Sequence, residues 1–122
     1  VLLTHHRKLG RWLQLGGHSD GNPDPLAVAM LEAEEESGLR VTPLSEQIFD
    51  IDIHEIPPRK ADPAHFHFDV RFVLRAAGAE EFAVSDESLD LAWVAVGRLA
   101  DYTDEWSMLR MGEKWQQRQS RR

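Results

Sequence analysis

Glu32, Glu34, Glu35 and Glu36 fall within one short stretch of this chain. Like charges three or four positions apart on a helix repel by about 0.2–0.5 kcal/mol per exposed pair. Such a group is either a solvated face or a cation site. Hard cations such as Mg²⁺ prefer carboxylate oxygens and keep some of their waters. At helical spacing Glu32, Glu35 and Glu36 share a face, and a Gly-Gly turn with a long loop precedes them (GGHSDGNPD, residues 16–24). They can therefore hold an ion beside backbone that can approach it. A second polar group alternates along the chain: His65, His67, Asp69 and Arg71. A His-x-His pair can bind zinc; the plainer reading is the polar side of a strand. Asp20, Asn22 and Asp24 open like a calcium loop, but Pro25 and Leu31 stand where that loop needs Gly and Glu.

These side chains need elements to carry them. Asp24 is a good N-cap, Pro25 suits the first helical position, and Gly38 supplies the stop. A helix over 25–37 follows. Its apolar side gathers Leu26, Ala29, Met30, Ala33 and Ser37; Glu34 is expected to face solvent. Short strands are expected at Val1–Thr4 and Arg11–Gln14. From Gln47 the pattern changes to period two, with Phe49, Ile51 and Ile53 against Asp50, Asp52 and His54. After a proline-rich loop the alternation resumes from His65 to Arg75. A short strand over Leu91–Val96 and a terminal helix over Glu105–Gln119 complete the order, with Gly78–Ser88 an acidic loop between. Strands and helices in this order predict mixed α and β around one sheet. Trp12, Trp93, Trp106 and Trp115 are expected in the core or an interface.

Length and composition bound the rest. A chain of 122 residues has room for one domain. With 21 acidic against 14 basic residues, the net charge of −7 opposes a protein that grips a nucleic acid polymer. It does not oppose a small phosphorylated ligand, because a bound cation reverses the local field. The absence of Cys excludes disulfides, thiolate metal sites and thiol nucleophiles. No apolar run spans a membrane and no signal peptide is apparent, so no membrane partner and a cytoplasmic location are expected. The chain opens with Val1 directly in a strand-like run, and some natural N-terminal residues are expected to be missing.

The stretch GGHSDGNPDPLAVAMLEAEEESGL resembles the signature of the Nudix hydrolases. In that signature a Gly is followed after five residues by Glu. After seven more come Arg-Glu, an apolar residue, any residue, Glu-Glu, any residue, Gly and an apolar residue. Here the Gly is Gly17, the Arg-Glu pair falls on Leu31 and Glu32, the Glu-Glu pair on Glu35 and Glu36, and the end on Gly38 and Leu39. The spacing fits without a gap. Pro23 replaces the first Glu and Leu31 replaces the Arg, and Asp24 is a candidate stand-in for that Glu. WLQLGGH, HFHFDVRF and SDESLDLAWV extend the likeness, which is similar to a bacterial subgroup of the family, over nearly the whole chain.

The resemblance implies a single Nudix domain over 1–122, an α/β/α sandwich around a mixed β-sheet. It implies hydrolysis of a diphosphate linkage in a nucleoside diphosphate-type substrate, with Mg²⁺ or Mn²⁺, by water attack on phosphorus. Glu35 and Glu36 would be metal ligands, Glu32 a ligand or proton acceptor, and the Gly16 carbonyl a further ligand. Glu87 is the first candidate for a catalytic base, with Asp86 competing. The His65–Arg71 face would border the substrate cleft, with Arg71 pairing with phosphate and His65 and His67 with base, ribose or phosphate. His18 would orient the loop. A homodimer is open to such a domain, through apolar residues near Trp106. A weak or inactive ligand-binding module is the alternative that Pro23 and Leu31 favour. An isomerase of the same fold would need a Cys that this chain lacks.

Overall fold

The computed structural model describes residues 1–78, 80–83 and 88–120, and only the backbone of Ser88 and Leu89. Among the described residues, seven strands and two α-helices follow in the order β1 (Leu2–His6), β2 (Trp12–Gln14), α1 (Pro25–Ser37), β3 (Val41–Pro43), β4 (Asp50–Ile56), β5 (His65–Arg71), β6 (Leu74–Ala76), β7 (Ser88–Trp93), α2 (Trp106–Ser120). A 3₁₀ helix over Val96–Asp101 precedes α2. The strands pair as β2-β1-β7, β3-β6 and β4-β5, all antiparallel. No helix among the described residues is long and apolar enough to cross a membrane.

The two sides of β1 explain the layering. Successive side chains of a strand point to opposite faces. Leu3 packs in one cluster with Val94, Leu99 and Met108, the last from α2. Leu2 packs in another with Leu39, just past α1, and Leu91. A strand with a buried cluster on each face lies between two layers, one closed by α2 and the other on the α1 side. The mixed α/β class is as expected from the sequence, but among the described residues the strands pair in three antiparallel sheets and not in the single mixed sheet expected.

Helix α1 begins and ends as its sequence dictates. Asp24 Oδ1 accepts from the Ala27 N–H at 3.1 Å, so this carboxylate serves as the cap. Gly38 closes the helix at φ 73°, where an L side chain is strained, and its N–H donates to Glu34 O. The buried face differs from expectation: it carries Val28, Ala33, Glu36 and Ser37. Ser37 is fully buried because its hydroxyl donates to Ala33 O and accepts from Leu39 N–H.

Three strand expectations change. The run from His65 to Arg75 is not one strand. It breaks at Phe72 and Val73, and β6 turns away to pair with β3. The last strand ends at Trp93, since Val96 already begins the 3₁₀ turn. The period-two stretch enters its strand at Asp50. Of the tryptophans, Trp12 packs against the Leu3 cluster, whereas Trp106 is 67% exposed.

Candidate active site at the loop preceding α1

The glutamates of α1 do not form a uniform solvated face. Glu36 is buried, Glu32 half-buried and Glu35 exposed. Glu36 Oε2 accepts the Gly16 N–H at 2.9 Å, which draws the Gly-Gly turn onto the helix. A Cβ placed on Gly17 would lie 2.5 Å from Glu32 Cδ and 2.6 Å from Oε2. With glycine there, the loop passes this close while the Glu32 carboxylate keeps its position. The loop and the acidic turn therefore build one compact oxygen-rich corner. Glu34 does not simply face solvent: its Oε2 accepts the Val41 N–H at 3.0 Å, tying α1 to β3. The corrected division is thus Glu34 for structure, Glu32 and Glu36 against the turn, and Glu35 exposed.

The second group assembles on one face of the β4–β5 hairpin. Asp50 pairs with Arg71, Asp52 with Asp69, and His54 with His67 across the strands. His18, just past the Gly-Gly turn, brings its ring to 6.0 Å from that of His67. The rings of His65 and His54 lie 5.3 and 5.4 Å from His67. The histidines read from sequence thus stand together, and the turn beside the glutamates reaches them through His18.

Arg71 occupies a different setting from His65 and His67. Its side chain is 9% exposed and bonds to Asp50 Oδ2 and Ser107 Oγ, both at 3.1 Å. Asp50 also receives Arg110, at 2.7 and 3.1 Å, and Lys114. Burial alone would raise the Asp50 carboxyl. Hydrogen bonds from Arg110, Lys114 and Arg71 outweigh it and hold the pKa at about 2. This knot joins β4 and β5 to α2. Sequence reading placed Asp50 on the polar side of its strand, but nothing local announced that three cations from distant elements converge on it.

Glu87 and Asp86, the candidate bases, lie outside the described residues. Leu31 takes the place of the signature Arg and is 54% exposed.

The architecture is that of the Nudix hydrolases. A C. elegans Ap4A hydrolase, solved as a binary complex, superposes with a TM-score of 0.73 at 15% identity, covering 98% of this chain and 85% of that one. A Nudix-family hydrolase from Clostridium perfringens superposes with a TM-score of 0.72 at 23% identity, covering 93% and 86%. No protein-family model matches the sequence, and no curated protein matches it.

Proposed function

We propose that this chain is a metal-dependent hydrolase that cleaves a diphosphate linkage in a nucleoside diphosphate-type compound. The observation that carries the reading is the corner where Gly16 and Gly17 close onto Glu36 and Glu32. Glu36 and Glu32 meet the Gly-Gly turn and Glu35 stands exposed on the same turn of the helix, and carboxylate oxygens of this kind suit a hard divalent cation such as Mg²⁺ or Mn²⁺. Glu32, Glu35 and Glu36 would hold the ion, with the Gly16 carbonyl beside them. When bound, it supplies charge neutralisation on the phosphates and an acidified water.

The chain's own residues do the rest. The Gly16 N–H fixes the Glu36 carboxylate, and the missing Cβ of Gly17 leaves the Glu32 carboxylate room at the turn. His18, His65 and His67 offer ring nitrogens toward an anionic substrate next to that corner. Glu87 is our candidate to accept the proton of the attacking water, and Glu32 is the other. Arg71 contributes a positive field at the base of the hairpin while it holds Asp50. Among diphosphate compounds, the similarity to an Ap4A hydrolase favours dinucleoside polyphosphates as the first class to try.

The test is phosphate or mononucleotide release from a panel of dinucleoside polyphosphates, nucleotide sugars, nucleoside triphosphates and ADP-ribose with Mg²⁺. Glu35→Gln serves as the control. We expect turnover that falls at least about 100-fold in the variant, since even outer-shell partners of metal ligands cost 10–100-fold. Binding without turnover across the panel would favour the second reading, a nucleotide-binding module. Leu31, an exposed apolar residue in place of the signature Arg, is the observation behind that reading.

A further inference from the structure

We infer that the β4–β5 hairpin carries a second metal site, specific for a borderline first-row cation of the zinc class and formed by Asp52, His54 and Asp69. This inference is independent of the hydrolase reading, since none of these residues belongs to the glutamate corner.

Geometry is the first argument. One ligand atom from each of the three side chains lies within 4.8 Å of the other two. His54 Nδ1 stands 3.4 Å from Asp52 Oδ2 and 3.9 Å from Asp69 Oδ2. Zinc takes His nitrogen and carboxylate oxygen at about 2.0–2.2 Å, so neighbouring ligands of a tetrahedral site stand roughly 3.4 Å apart. The two distances approach that edge without any change of backbone. All three donors project from one face of a paired hairpin, which holds them at fixed spacing. The side chains are only partly buried, and an ion can reach them from solvent.

Charge is the second argument. Asp52 and Asp69 are direct cross-strand partners, and like charges placed opposite one another destabilise a sheet. Two cations lie near them: Arg110 is 3.5 Å from Asp52 Oδ1, and Arg71 is 3.7 Å from Asp69 Oδ2. Both make their shorter bonds to Asp50. The imidazole of His54 stands between the two carboxylates, and a divalent ion there satisfies both acids at once.

Ligand chemistry decides the metal. The corner on α1 offers carboxylates and suits a hard ion. The hairpin offers imidazole with carboxylate, and a further imidazole, His67, sits directly across from His54 with ring centroids 5.4 Å apart. Imidazole favours Zn²⁺, Co²⁺ and Ni²⁺ over Mg²⁺. The protein thus has two cation sites of unlike preference, the second completed by His67 or water.

The experiment is a Co²⁺ titration of the metal-stripped full chain in excess Mg²⁺, which keeps the glutamates filled. Visible d–d absorption and the ring NMR signals of the histidines are followed, with Zn²⁺ as competitor. We expect one equivalent of Co²⁺ to bind, Zn²⁺ to displace it, and the His54 ring signals to move. His54→Gln and, separately, Asp69→Asn should each weaken Co²⁺ at least tenfold, while Glu35→Gln leaves its affinity unchanged. The proposal is overturned if Mg²⁺ abolishes Co²⁺ binding, if both hairpin variants bind Co²⁺ like the wild type, or if Glu35→Gln alone removes it. In those cases His54 is no more than an imidazole clamped between two acids. A hydrolase that fails its own assay leaves this result intact, because the readout is metal binding.

Discussion

Gly17 shows how one missing atom can shape a site. Its φ is not in the left-handed region, so alanine there meets no backbone strain. The clash is with the end of the Glu32 side chain, at 2.5 Å from Cδ. The far end of a flexible side chain moves aside cheaply. Gly17→Ala should therefore leave stability almost unchanged in urea denaturation, within about 0.5 kcal/mol. It should displace the Glu32 carboxylate and lower metal-dependent turnover by roughly tenfold or more, as small misplacements at reacting groups do. Equal losses in stability and turnover would refute this division. The types and spacing of Glu32, Glu35 and Glu36 were legible in the sequence, and so was the capped helix that carries them. Their unequal burial was not. Helical periodicity describes a free cylinder, and it cannot say that the Gly16 N–H arrives to draw Glu36 inward or that Val41 captures Glu34.

Between elements, the Asp50 knot fastens β4 and β5 to α2. Asp50 is 2% exposed and meets Arg71 from β5 and Arg110 and Lys114 from α2. Its carboxyl titrates at about 2, below the ordinary 3.8. A group whose folded pKa is depressed adds stability that is complete above its unfolded pKa and is lost as pH falls through the folded one. The unfolding free energy measured in urea should thus drop as pH is lowered from about 4 toward 2, by an amount on the order of 2 kcal/mol from this residue. Asp50→Asn should flatten that dependence. It should also cost about 3 kcal/mol at neutral pH, because Arg71 is left buried facing an amide. Much of the element order was readable, since α1, β4, β5 and α2 have caps or clear periods. The pairing of β3 with β6 was not. Each has three residues, too few for a period to show, and the break at Phe72 interrupts an alternation that locally looks continuous.

Across the whole molecule, the net charge of −7 is unevenly used. Three of the basic side chains converge on one aspartate, while Glu32, Glu35 and Glu36 crowd into little more than one turn of α1. Divalent cations should therefore stabilise the fold by mass action. Saturating Mg²⁺ should raise the Tm by at least about 5 °C, and Glu35→Gln should lose more than half of that rise. KCl at matched ionic strength controls for screening. Equal shifts in both proteins would refute specific binding. At 15–23% identity, the solved relatives share this fold with few residues in common. The legible part was the loop-helix unit and its spacing.

The β4–β5 hairpin has an opposite face that bears on all of this. Ile51, Ile53, Phe66 and Phe68 stand exposed there, behind the aspartates and histidines. Because side chains alternate, a slip of one residue between sheet neighbours would exchange the two faces of the moving strand. Solvent on the apolar side gives little resistance to such a slip. The resistance comes from the end of the strand: Asp50 would have to leave Arg110 and Lys114 to move by a single step. The knot on α2 thus acts as a vernier stop, setting to the residue which groups the hairpin presents toward the glutamate corner.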